Sequence, residues 1–396
     1  MPHQNPRYFQ RVSEVFLSFL LLGFTSFGGP AAHLGYFNQT FIQRKKWASD
    51  VQYAQWVALS QIVPGPGSSQ VGFALGYHRA GYLGGLAAFI GFTLPSFIVM
   101  VLLAQFGSHW QGNTVFDGVV HALKLLAVAV VADACVSMWR SFCQSKTMAT
   151  IALFSAAFIV FYPFGFASLI VLFMAACVGL LTPSVISAAD EPLPKIRGAG
   201  LVFVLAISLF LVSFVLDTGL SGLFADFYQA GALVFGGGHV VLPMLSAFVA
   251  DTVSDANLLL GYAAAQAVPG PMFTMASFLG ASAAPGGANP WVWAVVATVA
   301  VFLSGLLLML SAQSVWQGLS RHARFRSAVG SLNAAVVGIL IAALYHPIGT
   351  SSLVGWWDVV AVGVGFVWLK YKRPPILLLI SAFVLLGLAR SYYSGF

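Results

Sequence analysis

Twice in this chain a Pro-Gly-Pro triplet interrupts an apolar run: residues 58–70 read ALSQIVPGPGSSQ and residues 263–275 read AAAQAVPGPMFTM. A proline inside a helix lacks the N–H that the hydrogen-bond ladder needs and clashes with the preceding turn, at roughly 3 kcal/mol each. Each triplet therefore ends one helix and restarts another. In both cases a glutamine stands three residues ahead of the first proline: Gln61 before Pro64-Gly65-Pro66, and Gln266 before Pro269-Gly270-Pro271.

Composition decides what surrounds these breaks. Of 396 residues, 59% are hydrophobic and 7% are charged, against roughly 25% charged in an ordinary soluble domain. That is too little polar surface to clothe a water-soluble globule, so the chain reads as an integral membrane protein. Leu83–Gln105, Ile151–Leu181, Gly200–Leu216, Val292–Ser311 and Val354–Leu369 approach the roughly 20 apolar residues that cross a hydrocarbon core as helix. They lack the alternation of barrel strands, and the expected fold is all-α. Cys135, Cys143 and Cys177 lie in or beside apolar segments without metal-ligand spacing and read as packing residues. The net charge of +7 is scattered over short loops, which fits membrane orientation and not a nucleic-acid footprint. Arg7 and Arg11 precede the first apolar run, but no small-residue cleavage pattern closes it before FGGP, so that run is read as a retained membrane segment.

The two halves repeat. Phe27-Gly28-Gly29 matches Phe235-Gly236-Gly237 at an offset of 208, the Pro-Gly-Pro triplets match at 205, and LKLLAVAV from Leu123 matches LNAAVVGI from Leu332 at 209. Loop charges invert between them. Arg44-Lys45-Lys46 follows the first glycine break, whereas Asp251 and Asp255 follow the second; GSHWQGNTVFDG in the first half corresponds to SRHARFRS in the second. Because Lys and Arg favour the cytoplasmic side, the halves are expected to face opposite ways. The expected organisation is an N-terminal repeat (1–182), a linker with one orientation-flipping transmembrane helix (183–216) and a C-terminal inverted repeat (217–396). Each repeat would hold two broken or re-entrant helical hairpins plus about four spanning helices.

An apolar arm of about a dozen residues, such as Phe16–Phe27 or Tyr53–Val63, reaches roughly 18 Å, past the middle of a core of roughly 30 Å but not across it. Broken backbone at that depth survives where protein shields it or where it lines a watery cavity. Inverted halves bring such tips together near the midplane, and helices restarting at Gly67 and Met272 would aim N–H groups and positive dipole ends at the cavity, as an anion site requires. Several readings stay open. Gly28, Gly29, Gly236, Gly237 and Gly238 either admit a close backbone approach to an anion or serve helix packing. Gln61 and Gln266 either contact substrate or bond freed carbonyls near the prolines. Ser68, Ser69, Gln70 and Thr274 stand in the first turn after a break, where hydroxyl and amide donors can join the N–H groups. Lys124, paired by the repeat with Asn333, is either an intramembrane functional charge or a snorkelling one. Asp133, nine residues further on, is an interfacial anchor or a proton carrier. His33 and His239 follow the glycine breaks as charge for an oxyanion, as proton carriers, or as neutral packing groups. Gly65→Ala is expected to be tolerated by the fold.

FGGPAAH (27–33), QIVPGPGSSQ (61–70), GYHRAGYLGG (76–85), FGGGHVVLPML (235–245) and AQAVPGP (265–271) together resemble the chromate ion transporter family in its long-chain, two-domain form. The resemblance covers nearly the whole chain, and places Pro30, Pro64, Pro66, Pro269 and Pro271 beside the glycines above in the expected substrate site. It implies export of chromate across the cytoplasmic membrane, resistance to chromate, sulfate as a similar oxyanion, and the proton gradient as energy source. The runner-up is a sulfate or oxyanion exchanger, or an anion channel of the same architecture. The second half departs from the pattern of the first, with Gly-Gly-Gly-His where the first has Gly-Gly-Pro. No cofactor or metal is expected and an enzyme is disfavoured, since acids are scarce and no His-rich or CxxC pattern occurs. The partners are the oxyanion and the bilayer, with no nucleic acid and a homodimer left open.

Overall fold

A computed structural model describes residues 6–26, 29–107, 114–162, 167–182, 196, 198–234, 241–249, 253–372 and 374–394. Among the described residues the structure is helical throughout, with no strand. The first half runs α1 (Pro6–Thr25), α2 (Gly29–Phe37), a π-helical turn (Asn38–Arg44), α3 (Asp50–Ser60), α4 (Gly67–Gly107), α5 (Thr114–Phe142), α6 (Lys146–Phe161) and α7 (Ala167–Leu181). Then come α8 (Ala199–Ser213), α9 (Gly219–Leu233), α10 (Val241–Val249), α11 (Asp255–Ala267), a 3-10 turn (Met272–Thr274) and α12 (Met275–Ser282). The chain ends with α13 (Pro290–Arg321), α14 (Ala323–Ala343), a short α15 (Thr350–Ser352), α16 (Trp356–Lys372) and α17 (Ile376–Ser394).

Among the described residues four helices are long and apolar enough to cross a membrane: Gly67–Phe106, Asp117–Arg140, Pro290–Val315 and Ala323–His346. The core is apolar, but so is the exterior, and many small polar groups are buried. Leu181, Leu201 and Val354 are more than three-quarters exposed, while Ser68, Gln70, Ser277 and Ser331 are buried. Such an apolar exterior suits hydrocarbon and makes this a multi-pass membrane protein. One expected span is corrected: 151–181 is not a single crossing but α6 and α7 in succession, with Pro163 and Gly165 lying between them in the sequence. The helix expected at 200–216 is α8, fifteen residues long.

The breaks fall where the triplets and glycine pairs stand. α1 ends before FGG and α2 begins at Gly29; α3 ends before the first triplet, and α11 before the second. α3 starts on a capping box in which Ser49 accepts from the Gln52 N–H and Gln52 answers the Ser49 N–H, and Ser254 caps α11 in the same acceptor role. Within α4, Ala80 (φ −147°) and Gly81 (φ 60°) leave helical geometry. There the helix folds back, so closely that a Cβ on Gly76 would stand 2.4 Å from the Gly84 carbonyl oxygen. α3, with 11 residues, spans about 16 Å, too short to cross.

Packing pairs helices first within each half and then across the two. α1 lies along the second arm of α4, and α9 lies along α13. Gly23 permits the first contact, since its Cβ would meet the Phe92 carbonyl oxygen at 2.8 Å; Gly231, at the same offset of 208, permits the second against the Val301 carbonyl oxygen. The following helices exchange partners: α5 packs on α16 and α17, while α14 packs on α6 and α7. Each half therefore carries a helix clasped by the other half's terminal pair.

Candidate functional site

The Pro-Gly-Pro turns bond to the residues that precede the glycine breaks of the opposite half. Gly65 N–H donates to the Val234 carbonyl at 2.7 Å, and Gly270 N–H donates to the Ser26 carbonyl at 2.9 Å. Ser26 and Val234 are related by the offset of 208, and Gly65 and Gly270 by 205, so these are one bond made twice. Each turn glycine holds a positive φ, +127° at Gly65 and +106° at Gly270, which an L side chain resists. Space is equally restrictive. A Cβ at Gly65 would lie 2.6 Å from the Gly305 Cα, and one at Gly270 would lie 2.8 Å from the Ser96 hydroxyl oxygen. The expected tolerance of Gly65→Ala is thereby corrected, because the obstacle is backbone and cannot swing aside.

Side chains knit the first turn to its surroundings. Gln70 Nε2 donates to the Pro64 carbonyl at 2.8 Å and the Gly305 carbonyl at 3.0 Å, pinning the turn to α13. His33 is fully buried; its Nδ1 lies 3.3 Å from the Ser68 hydroxyl, and its ring meets Phe92 edge-on at 5.1 Å between centroids. Gly29, with φ +76°, opens α2 so close to the second turn that a Cβ would stand 3.3 Å from Met272 Sδ. The start of α2, the start of α4 and the second triplet thus converge. Pro66, Gly67, Ser69, Gly270 and Pro271 are buried with them, and Pro30, Gln61, Pro64 and Pro269 are partly buried.

Of the polar groups left over around the turns most can donate, although Gln70 Oε1, which can only accept, is buried without a partner too. The hydroxyls of Ser26, Ser69, Thr93 and Ser304, the Nε2 of His33 and the Nε2 of Gln266 are buried without a hydrogen-bond partner. All can donate, whereas a buried carboxylate is found, among the described residues, at Asp358 alone. Asp358 lies elsewhere, taking the Val354 and Gly355 N–H groups on Oδ2 at 2.9 Å and facing Arg390 and His121 with Oδ1. Thr274 turns its hydroxyl back on the Pro271 carbonyl at 2.7 Å, a local turn bond. Asn333 is buried on α14 with its Oδ1 unpartnered, and Lys124 is half-buried on α5; neither is among the described groups that touch a turn. Asp133 pairs with Lys370 at 3.6 Å. Gly28, Gly236, Gly237, Gly238 and His239 lie outside the described residues.

Ser26, Thr93, Ser96, Ser304 and Gly305 escape a reading built on the triplets alone. Ser96 and Ser304 carry a usable signal, since they share the offset of 208. Ser26 has none, its counterpart being Val234.

A helical membrane protein built as two matching halves whose turns bond across to each other has the architecture of many secondary transporters. The chain belongs to the chromate transporter family, whose pattern matches it twice, over residues 13–180 and 221–388. It is 27% identical to an uncharacterized transporter of Methanocaldococcus jannaschii, covering 94% of this chain and 93% of that one. It is 26% identical to a probable chromate transport protein of Synechococcus elongatus (86% and 85% covered) and 27% identical to a chromate transport protein of Cupriavidus metallidurans (86% and 83% covered). No solved structure matches the chain. The protein is a transporter and not an enzyme.

Proposed function

We propose that this protein is a secondary active transporter that exports chromate across the cytoplasmic membrane, coupled to the proton gradient and conferring resistance to chromate. The observation that carries this reading is the set of buried donors around the crossed turns, with no buried carboxylate among the described residues there. A tetrahedral dianion needs converging donors and restarted helix N-termini, and a carboxylate would repel it. The relatives named chromate transport proteins support chromate as the cargo. Sulfate has the same shape and charge, and a cage of N–H and hydroxyl donors separates the two poorly. His33, buried against Ser68 at the start of α4 with Nε2 unpartnered, is the choice for proton coupling. Lys124 and Asn333 are proposed to tune the field from α5 and α14.

The matched bonds at Gly65 and Gly270 support halves related by inversion, with the breaks facing each other near the midplane and α8 providing the change of orientation. Cysteine labelling is expected to find positions 45 and 322 inside and 111 and 253 outside; 45 and 253 on one side would end that arrangement. The deciding assay is uptake into inverted vesicles, with chromate, sulfate and phosphate compared with and without a proton gradient. Chromate accumulation driven by the gradient and competed by sulfate is expected. Chromate flux indifferent to excess sulfate, or currents far above carrier turnover, would overturn the donor cage or the carrier respectively. Cross-linking in the same membranes reads whether the protein works as a homodimer.

A further inference from the structure

We infer that the hydroxyls of Ser26 and Ser304 are two of the donors that coordinate the transported oxyanion, one at each crossed turn. This rests on the reading of the turns as an oxyanion site, and goes beyond it by assigning residues that neither triplet nor glycine break contains.

Both side chains are almost wholly removed from solvent, at 0% and 1% exposure, and neither hydroxyl has a hydrogen-bond partner. Serine ordinarily solves this problem within its own helix. Ser155 bonds the Ile151 carbonyl at 2.6 Å, Ser213 bonds the Phe210 carbonyl at 2.6 Å and Ser96 bonds the Thr93 carbonyl at 3.0 Å. Ser304, at the position matching Ser96, makes no such bond. α9 crosses closely there, so that a Cβ on Gly231 would stand 2.2 Å from the Val301 carbonyl oxygen and 2.9 Å from the Ser304 hydroxyl oxygen. Ser304 also precedes Gly305, whose carbonyl accepts from Gln70 and whose Cα abuts the Gly65 turn. Ser26 holds the second turn through its own carbonyl, bonded to Gly270 N–H, while its hydroxyl stays free.

A buried hydroxyl without a partner carries the cost of its desolvation, so removing it is neutral or stabilising. A hydroxyl kept for an anion behaves differently once the anion is present, because a hydrogen bond to a charged acceptor is among the stronger kinds. The two roles therefore predict opposite signs with and without ligand.

The experiment is a thermal-stability titration of the purified full-length protein with sodium chromate and sodium sulfate, against sodium chloride at equal ionic strength. The parent is expected to be stabilised by both oxyanions. Ser26→Ala and Ser304→Ala are expected to melt at or above the parent's temperature without oxyanion and to need about tenfold more of it for the same shift. Ser155→Ala, whose hydroxyl is satisfied on its own helix, is expected to keep the parent's affinity. Ser304→Cys and Ser26→Cys keep the side-chain shape at slightly larger size and weaken the donor; they are expected to lose affinity as the alanines do, and they decide the matter if an alanine variant folds poorly. A parent indifferent to every oxyanion overturns the anion site itself. A stabilised parent whose serine variants all retain full affinity overturns this inference and leaves the site standing.

Discussion

At the first turn Gly65 reaches across to Val234, and at the second Gly270 reaches across to Ser26; around these equivalent bonds the side chains diverge. Gln70 pins the first turn to α13, whereas the corresponding position in the second half is Met275, fully buried and unable to donate. Charge diverges too. Glu14 on α1 meets Lys45 at 3.2 Å and Arg79 at 3.0 Å, and both cations lie over the Trp47 ring at 5.5 Å, yet the residue matching Glu14 is Gly222. Asp358 and Arg390 of the second half instead form a cluster with His121 on α5 of the first. The backbone device is thus duplicated while the charged anchors are not. A site for a symmetric anion can be built from repeated backbone, but each half must anchor a different set of helix ends to its surroundings.

The widest expected effect compares the turns directly. Both substitutions strain a backbone of positive φ, but Gly65→Ala must also displace Gly305 backbone, at about 3 kcal/mol or more, whereas the nearest atom to a Cβ at Gly270 is a serine hydroxyl that can rotate. Gly65→Ala is expected to abolish folded protein and transport together, with Gly270→Ala retaining a measurable fraction of both by gel filtration and vesicle flux. Equal damage would mean that the turns are equivalent in more than backbone.

Asp358→Asn tests the anchor of the second half. It leaves Arg390 without its carboxylate and weakens two N–H acceptances, with an expected loss of about 3 kcal/mol and a lower melting temperature. Oxyanion affinity in the folded fraction is expected to be unchanged, since this cluster does not touch the turns among the described contacts. A change in affinity without a change in stability would move the cluster into the transport site.

The smallest effect belongs to Glu14. Partial burial pushes its carboxyl up, but hydrogen bonds and charge from Arg79 and Lys45 outweigh that, and the net shift is below the ordinary value of 4.5. A carboxylate lowered on folding contributes stability above its unfolded value and loses it as pH falls through the folded one. Loosening of α1 is therefore expected only below about pH 4.5. With the partners a third exposed and screened, Glu14→Gln should cost at most about 1 kcal/mol at neutral pH, read as a small melting shift that shrinks with salt.

Much of this was legible before any coordinates. The scarcity of charge dictated a membrane exterior, the prolines dictated where helices stop, and the offsets of 205 to 209 exposed the two halves. The run 151–181 misled because hydropathy counts apolar residues and takes no account of where a chain doubles back. What only the tertiary structure decided is which half each element serves. Gly65 donates to Val234 and Gly270 to Ser26 through backbone atoms, which carry no residue-type signature, and α5 and α14 trade partners although either could pack on its own half. Periodicity and propensity are local properties of a chain. The pairing of distant carbonyls with distant N–H groups follows from packing that no local pattern encodes, and that packing leaves Ser26 and Ser304 with hydroxyls to spare.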